Sequence, residues 1–220
     1  MPSFAEVKAG LAMPIAEAME TQRAIRRLRP DPVDDEIVKA CLELAVRAPS
    51  GGNLQNWEFV VVRDPDVKHQ LARLNRQAWS VFKRVYAVRA RRDEQVRKGL
   101  EATQWGADHF EETPVVVVAC LRGPRLWFPP LATTSYYGSI YPAVQNLLLT
   151  ARSLGLGASL TTLPVWSSLM ARRTLGLPWN VRPLAAVPLG WPRGRYGPTS
   201  RRPVEEVTHL DRYGNRAFPA

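Results

Sequence analysis

The sequence predicts a mixed α/β fold, one central sheet flanked by helices. Two observations carry that expectation. Apolar residues recur at helical spacing in well separated segments, as in Ile37, Cys41, Leu44 and Ala48, and again in Val144, Leu147, Leu148 and Ala151. Between them lie short runs of strand-forming residues, the clearest holding four successive valines at 115–118. Strands interleaved with helices point to a mixed class rather than an all-α or all-β one. The chain has 220 residues, enough for one large domain or one protomer of an intimate dimer.

Residues 1–29 read as largely helical and end in a basic cluster, Arg23, Arg26, Arg27 and Arg29. Pro30 and Pro32 break the chain. Asp34 is then placed to cap a helix whose first turn carries Asp35 and Glu36, where the helix dipole favours acids. That helix is expected to stop at Pro49, before a Ser50-Gly51-Gly52-Asn53 turn. Residues 57–62 read as a strand, 66–88 as one or two helices, and 94–110 as another. Residues 114–121 form a buried strand and 122–134 a proline-rich loop. Residues 139–154 are helical and Gly155 is their stop signal. Residues 158–162 are a short strand and 165–175 a short helix. Residues 182–189 suit a strand whose Pro183 and Pro188, unable to donate to a ladder, confine it to an edge or lie at its ends. A last strand is expected at 205–210. No internal repeat or low-complexity tract interrupts this order.

Composition narrows the function. The net charge is +10, from 30 Lys and Arg against 20 Asp and Glu, which favours anionic partners without naming one. Nucleic acid is disfavoured, since no helix-turn-helix, zinc-finger or RNP pattern accompanies the charge. Cys41 and Cys120 lie apart in apolar runs and His69, His109 and His209 are scattered, so no metal-binding spacing exists. Two buried thiols fit a reducing cytoplasm better than a disulfide framework. The uncharged runs 126–151 and 153–171 are broken by Pro and Gly and do not read as membrane spans.

Four segments carry possible chemistry. Gln22-Arg23-Ala24-Ile25-Arg26-Arg27 could hold a phosphate through guanidinium forks, or could be a solvated helix end. Ala48-Pro49-Ser50-Gly51-Gly52-Asn53-Leu54-Gln55-Asn56-Trp57 could let backbone approach a planar ligand, or could be a turn chosen for its geometry. Gly155-Leu156-Gly157 follows a helix instead of opening one, which excludes a dinucleotide-binding βα turn. Any functional weight there falls on the backbone of Leu160, Thr161 and Thr162. The closing stretch contains Arg193, Arg195, Arg201 and Arg202 with no acid between 191 and 202. It suits an anion, or an exposed basic loop.

In order and spacing these segments resemble the nitroreductase-like flavoproteins. Arg23-Ala24-Ile25-Arg26-Arg27-Leu28 is similar to that family's R-[SA]-[IV]-R-x-[FL] start, and Ala48 to Trp57 to its A-P-S-x-x-N-x-Q-x-W loop. Gln145-Asn146-Leu147-Leu148-Leu149 with Gly155-Leu156-Gly157, and Leu189-Gly190-Trp191-Pro192 with Arg201-Arg202-Pro203-Val204-Glu205-Glu206-Val207, resemble its later motifs. The resemblance spans roughly residues 20–212.

The resemblance implies an α+β fold with a mainly antiparallel sheet, residues 1–220 as a single domain, and an intertwined homodimer with two FMN sites at its interface. It places Arg23 and the Ala24 backbone at the phosphate, joined by Arg201 or Arg202, and Arg26 at the N1/O2 edge of the ring. Pro49, Ser50, Asn53 and Gln55 would contact the isoalloxazine and ribityl chain, and Leu160, Thr161 and Thr162 the region near N5. Gln22 and Ala24 depart from the arginine and serine common in relatives, which shifts weight to the closing arginines. The implied activity is ping-pong hydride transfer from NADPH or NADH to a planar acceptor such as a nitroaromatic or quinone. Residues 76–138, rich in aromatics from Trp79 to Tyr137, are expected to cover the substrate, or their aromatics mostly to fill the dimer core. The basic stretch 83–98 could attract an NADPH phosphate or be a solvated helix face. Alternatives on the same fold are a reductive dehalogenase-type flavoenzyme and a flavin-storing protein whose own Tyr136 and Tyr137 form a lid.

Overall fold

The structure is a computed structural model and describes residues 2–123 and 130–218. Four strands form one antiparallel sheet in the order β1-β2-β4-β3: β1 Trp57–Val62, β2 Val115–Arg122, β3 Gly157–Ala158 and β4 Val181–Gly190. Seven α-helices surround it among the described residues: α1 Phe4–Ala9, α2 Ile15–Thr21, α3 Asp35–Ala45, α4 Pro65–Ala90, α5 Glu94–Asp108, α6 Pro130–Ser153 and α7 Ser168–Thr174.

The pleat of β2 divides the core. Val115, Val117, Ala119 and Leu121 face α3 and α6, with Ile37, Cys41, Ile140, Val144 and Leu147. Val116, Val118 and Cys120 face the other layer, with Leu71 and Leu74 of α4, Phe110 and Ala171. Both faces of β2 are therefore buried, which explains an unbroken valine run instead of alternation. Burial pushes the thiols of Cys41 and Cys120 up to about 12, with Glu58 adding to the shift at Cys120. Both stay protonated and act as small apolar groups.

Local chemistry sets the helix starts. Asp64 caps α4 by accepting from the Val67 N–H at 2.9 Å, and Pro65 occupies the first helical position. Asp93 caps α5 in the same way through Val96 at 3.1 Å. Asp34 occupies the cap position of α3, but its side chain makes no capping bond.

Four expectations are corrected. Residues 1–29 are not one helix: α1 ends before Gly10, α2 ends at Thr21, and Arg23 onward is extended. Here a tertiary ladder outweighs helix propensity. The Ile25 N–H donates to the Ala158 carbonyl at 3.0 Å, the Arg29 N–H to Trp191 at 2.8 Å, and the Arg193 N–H to Arg27 at 2.9 Å. Residues 22–29 thus form a strap stitched to β3 and to the chain beyond β4. Second, β4 lies inside the sheet despite its prolines. Ala186 exchanges both backbone bonds with Thr161, so by alternation Pro188 turns its nitrogen to the β3 side, where that two-residue strand has already stopped. Next to Pro183 the register shifts, leaving Leu184 as a bulge. Third, α6 starts at Pro130, within the expected loop, of which residues 124–129 lie outside the described residues. Fourth, residues 205–210 form no strand, only a 3-10 turn at Val204–Glu206 and one bridge, His209 to Arg216.

The strap depends on Gly157. A Cβ there would sit 2.6 Å from Leu28 Cδ2 and 2.7 Å from Ile25 Cγ2. We predict that Gly157→Ala costs about 1–3 kcal/mol, the usual range for overpacking, read from the urea midpoint at constant m-value. An unchanged midpoint would mean that the strap is not packed as described.

Candidate active site

The strap carries the first half of the site. Its ladder to Ala158 lays the stem of Arg26 across α5, where Gly106 leaves room: a Cβ on that glycine would stand 3.3 Å from Arg26 Cβ and 3.5 Å from Cδ. Arg26 lines a solvent-open cleft together with Asn75, Thr103, Thr113, Ser159 and Thr161, and Phe110, Leu163 and Pro188 form its apolar wall.

Two groups in this cleft lack partners among the described residues. Burial lowers the pKa of the Arg26 guanidinium from its ordinary value, although a guanidinium remains charged at any physiological pH. Among the described residues no carboxylate pairs with it. Asn75 is 4% exposed and its Oδ1 accepts no hydrogen bond. Leaving a buried acceptor unmet costs about 1–3 kcal/mol. A partly desolvated cation beside an unmet amide oxygen makes a site for a polar edge offering both electron-rich atoms and an N–H.

Thr161 stands on the wall of the cleft, held by its two backbone bonds to Ala186 at 2.9 and 2.8 Å. Leu160 and Thr162 flank it and are exposed. Arg23 and Ala24 are exposed on the strap. The closing segment packs on the same region: Thr199 bonds Glu20 through its N–H at 2.9 Å and its hydroxyl at 3.0 Å, and Tyr196 lies under Arg152 at 4.1 Å. Arg201 and Arg202 follow two and three residues later and are exposed.

The second half of the site is elsewhere. Pro49, Ser50, Asn53 and Gln55 lie on the loop before β1, on the α3/α6 side of the sheet. Asn146 of α6 donates to the Leu44 carbonyl at 3.2 Å and fixes the end of α3. Ser139 then accepts from the Gly51 N–H at 3.0 Å, and its carbonyl accepts from Trp57 Nε1 at 2.7 Å. The Ser50 hydroxyl accepts from the Gln55 N–H, and Gln55 Nε2 donates to Asn53 Oδ1, each at 3.0 Å. Gly52, Asn53 and Gln55 all have positive φ, at 59°, 53° and 47°. Only three non-glycine residues of the described chain do so, and two are in this loop. Strain of this kind concentrates at binding sites.

One chain does not bring the two halves together. Trp57 begins one edge strand, while Ala158 lies on the other edge and near the opposite end of the sheet. Three strand spacings of about 4.8 Å across and about six residues of about 3.4 Å along put them roughly 20–25 Å apart.

The aromatics of 76–138 divide as well. Trp79 and Phe110 are core residues. Trp105 stacks on His109 with ring centroids 4.0 Å apart. Tyr136 donates to the Leu121 carbonyl at 3.1 Å and Tyr137 accepts from Arg182 at 2.9 Å, which fixes both on α6 away from the Arg26 cleft. They do not form a lid over it within this chain. Trp127 and Phe128 lie outside the described residues. Asn75 and Gly106 were not singled out from sequence. The signal available for Asn75 was a polar residue at an apolar position of α4, between Leu71, Leu74 and Ala78.

Comparison with known proteins agrees with this architecture. The model of the Nitroreductase family matches residues 19–191. An NADH dehydrogenase of Thermus thermophilus is 30% identical, over 84% of this chain and 90% of its own. An iodotyrosine deiodinase of Nematostella vectensis is 24% identical, over 88% of this chain and 74% of its own. Among solved structures, a nitroreductase-type protein of Desulfovibrio desulfuricans in complex with FMN is 25% identical, with a TM-score of 0.68, covering 91% of this chain and 98% of that one. The chain therefore belongs to the nitroreductase family and is an oxidoreductase of that type. No helix among the described residues is long and apolar enough to cross a membrane, and no group of metal-ligating side chains occurs among them.

A β-branched residue tests the strained loop. We predict that Gln55→Val costs about 1 kcal/mol, measured by urea unfolding, since it removes the Gln55 hydrogen bond to Asn53, worth about 0.5–1.5 kcal/mol, and sets a β-branched side chain on a left-handed backbone where it is a genuine outlier. A loss below about 0.3 kcal/mol would show that the loop relaxes freely.

Proposed function

We propose that this protein is an FMN-dependent NAD(P)H oxidoreductase that reduces planar acceptors such as nitroaromatics or quinones. The observation that carries the reading is the Arg26 cleft, where an unpaired guanidinium and the unmet Asn75 Oδ1 flank Thr161. A pyrimidine-like ring edge, with carbonyl oxygens beside an N–H, answers both groups. FMN supplies hydride acceptance and donation when bound, and the protein orients and tunes it. Arg26 would hold the N1/O2 edge of the ring and stabilise negative charge there electrostatically. Arg23 and the Ala24 N–H take the phosphate together with Arg201 or Arg202. Leu160, Thr161 and Thr162 form the wall beside N5.

Pro49, Ser50, Asn53 and Gln55 reach the ring from a second copy of the chain, because their own copy carries them to the far end of the sheet. The reading therefore includes a homodimer with two shared sites. Residues 1–220 act as one domain, with residues 76–138 supplying the substrate cover. Similarity to an iodotyrosine deiodinase favours reductive dehalogenation as a second reading of the same site. An acceptor screen that includes halogenated phenols separates the two.

The absorbance spectrum of purified protein tests the proposal: flavin bands are expected, bleached by anaerobic NADPH or NADH. Protein that holds no FMN even after its addition contradicts it. We further predict that Arg26→Ala either empties the site or lowers the flavin midpoint potential by about 30 mV or more. For a two-electron couple that shift corresponds to about 1.4 kcal/mol. Full occupancy at an unchanged potential would remove Arg26 from this role.

A further inference from the structure

The face of α4 that meets the cleft continues beyond it. Asn75 lines the cleft, and Phe82, Tyr86 and Arg89 follow it at 7, 11 and 14 residues, the spacing that returns to one helical face. Up to Trp79 this face is buried. Beyond residue 80 the body of the protein no longer covers it, and Phe82 and Tyr86 are 47% and 45% exposed. From Asn75 to Arg89 the helix rises about 21 Å. The turn into α5 then adds Arg91 and Arg92, both exposed.

These arginines are not balanced locally. Asp93 is engaged as the cap of α5, and Glu94 faces Arg97 and Lys98 at 3.8 and 2.9 Å. Arg97 also meets Glu101 at 2.8 Å. Among the described residues no carboxylate pairs with Arg89, Arg91 or Arg92. One helical face thus runs from a redox cleft, over two uncovered aromatic rings, to a cluster of three unpaired guanidiniums.

We propose that this outer face of the α4–α5 hairpin is the docking site for the adenosine half of NADPH, and that it makes the enzyme prefer NADPH to NADH. The inference rests on the oxidoreductase reading above. With FMN in the cleft and the nicotinamide laid over its exposed face, the remainder of the dinucleotide would extend along α4. Phe82 and Tyr86 offer π faces to the adenine, a contact that any adenine nucleotide can use. Arg89, Arg91 and Arg92 hold the 2′-phosphate, the group that distinguishes NADPH from NADH, through forked charge-assisted bonds. Charge complementarity selects this occupant, since three guanidiniums with no carboxylate partner among the described residues suit a dianionic phosphate.

Steady-state oxidation of NADPH and of NADH by the FMN-loaded protein, with a quinone acceptor, tests the inference. Wild type is expected to show a KM for NADPH at least 10-fold below that for NADH. The Arg89→Ala/Arg91→Ala/Arg92→Ala variant is expected to raise the NADPH KM about 10-fold with kcat unchanged, so that the two dinucleotides become equivalent. Titration with 2′,5′-ADP supplies a readout independent of turnover: wild type binds it in competition with NADPH, and the triple variant loses that binding. Wild type that oxidises both dinucleotides with equal KM overturns the inference and leaves the oxidoreductase reading intact. A triple variant that affects both dinucleotides equally, or turns a dimer into monomers, also overturns it, the latter by marking the face as a subunit contact. Wild type whose bound flavin neither dinucleotide reduces contradicts the oxidoreductase reading itself.

Discussion

The backbone ladder of the strap is the constraint on which the site depends. Residues 22–29 have the composition of a helix end, yet their N–H and carbonyl groups are paired with Ala158, Trp191 and Arg193. Because those partners sit on β3 and just past β4, the strap is positioned by the central sheet. Gly157 permits the approach on one side, and Gly106 makes room for Arg26 on the other. The cation is thereby carried into a cleft where no acid among the described residues neutralises it. A buried or half-buried charge is normally paired, so an arginine kept unpaired by this much surrounding structure implies a ligand that completes it.

The second constraint is geometric. The loop with three left-handed residues is fixed by Ser139 of α6 to one end of the sheet, while Arg26 and Thr161 are fixed to the other. No rotation of side chains closes that distance. Both halves have the attributes of a binding site, one electrostatic and one in backbone strain, and the proposed homodimer would unite them. The exposed large apolar residues on α2, such as Ile15 and Met19, and around Trp166 fit burial against such a partner.

Much of this was legible in the sequence where local chemistry and tertiary context agree. Residues 57–62 and the valine run read as strands because their periodicity and side-chain type point the same way, and Gly155, with φ 77°, closes α6 as expected. The failures came where context overrode composition. The prolines of β4 argued for an edge or for the strand's ends, but β4 is internal, and a bulge beside Pro183 and the early end of β3 accommodate the missing donors. The strap read as helix because its long-range partners are invisible to spacing. The loop and strap motifs were found as segments, whereas the cleft was not, since Arg26, Asn75, Gly106 and Thr161 have no sequence relation and meet only after α4 and α5 pack on the sheet.

The most direct test of the shared site is subunit complementation. Arg26→Ala protomers and Asn53→Ala/Gln55→Ala protomers are purified, each as a form with impaired flavin retention, then mixed, allowed to exchange, and isolated as heterodimers through different tags. Such a heterodimer has one site in which both the strap and the loop are intact, and the account predicts one tightly held FMN per dimer with its reducibility restored. Heterodimers that hold no more flavin than either parent would contradict a site built from two chains.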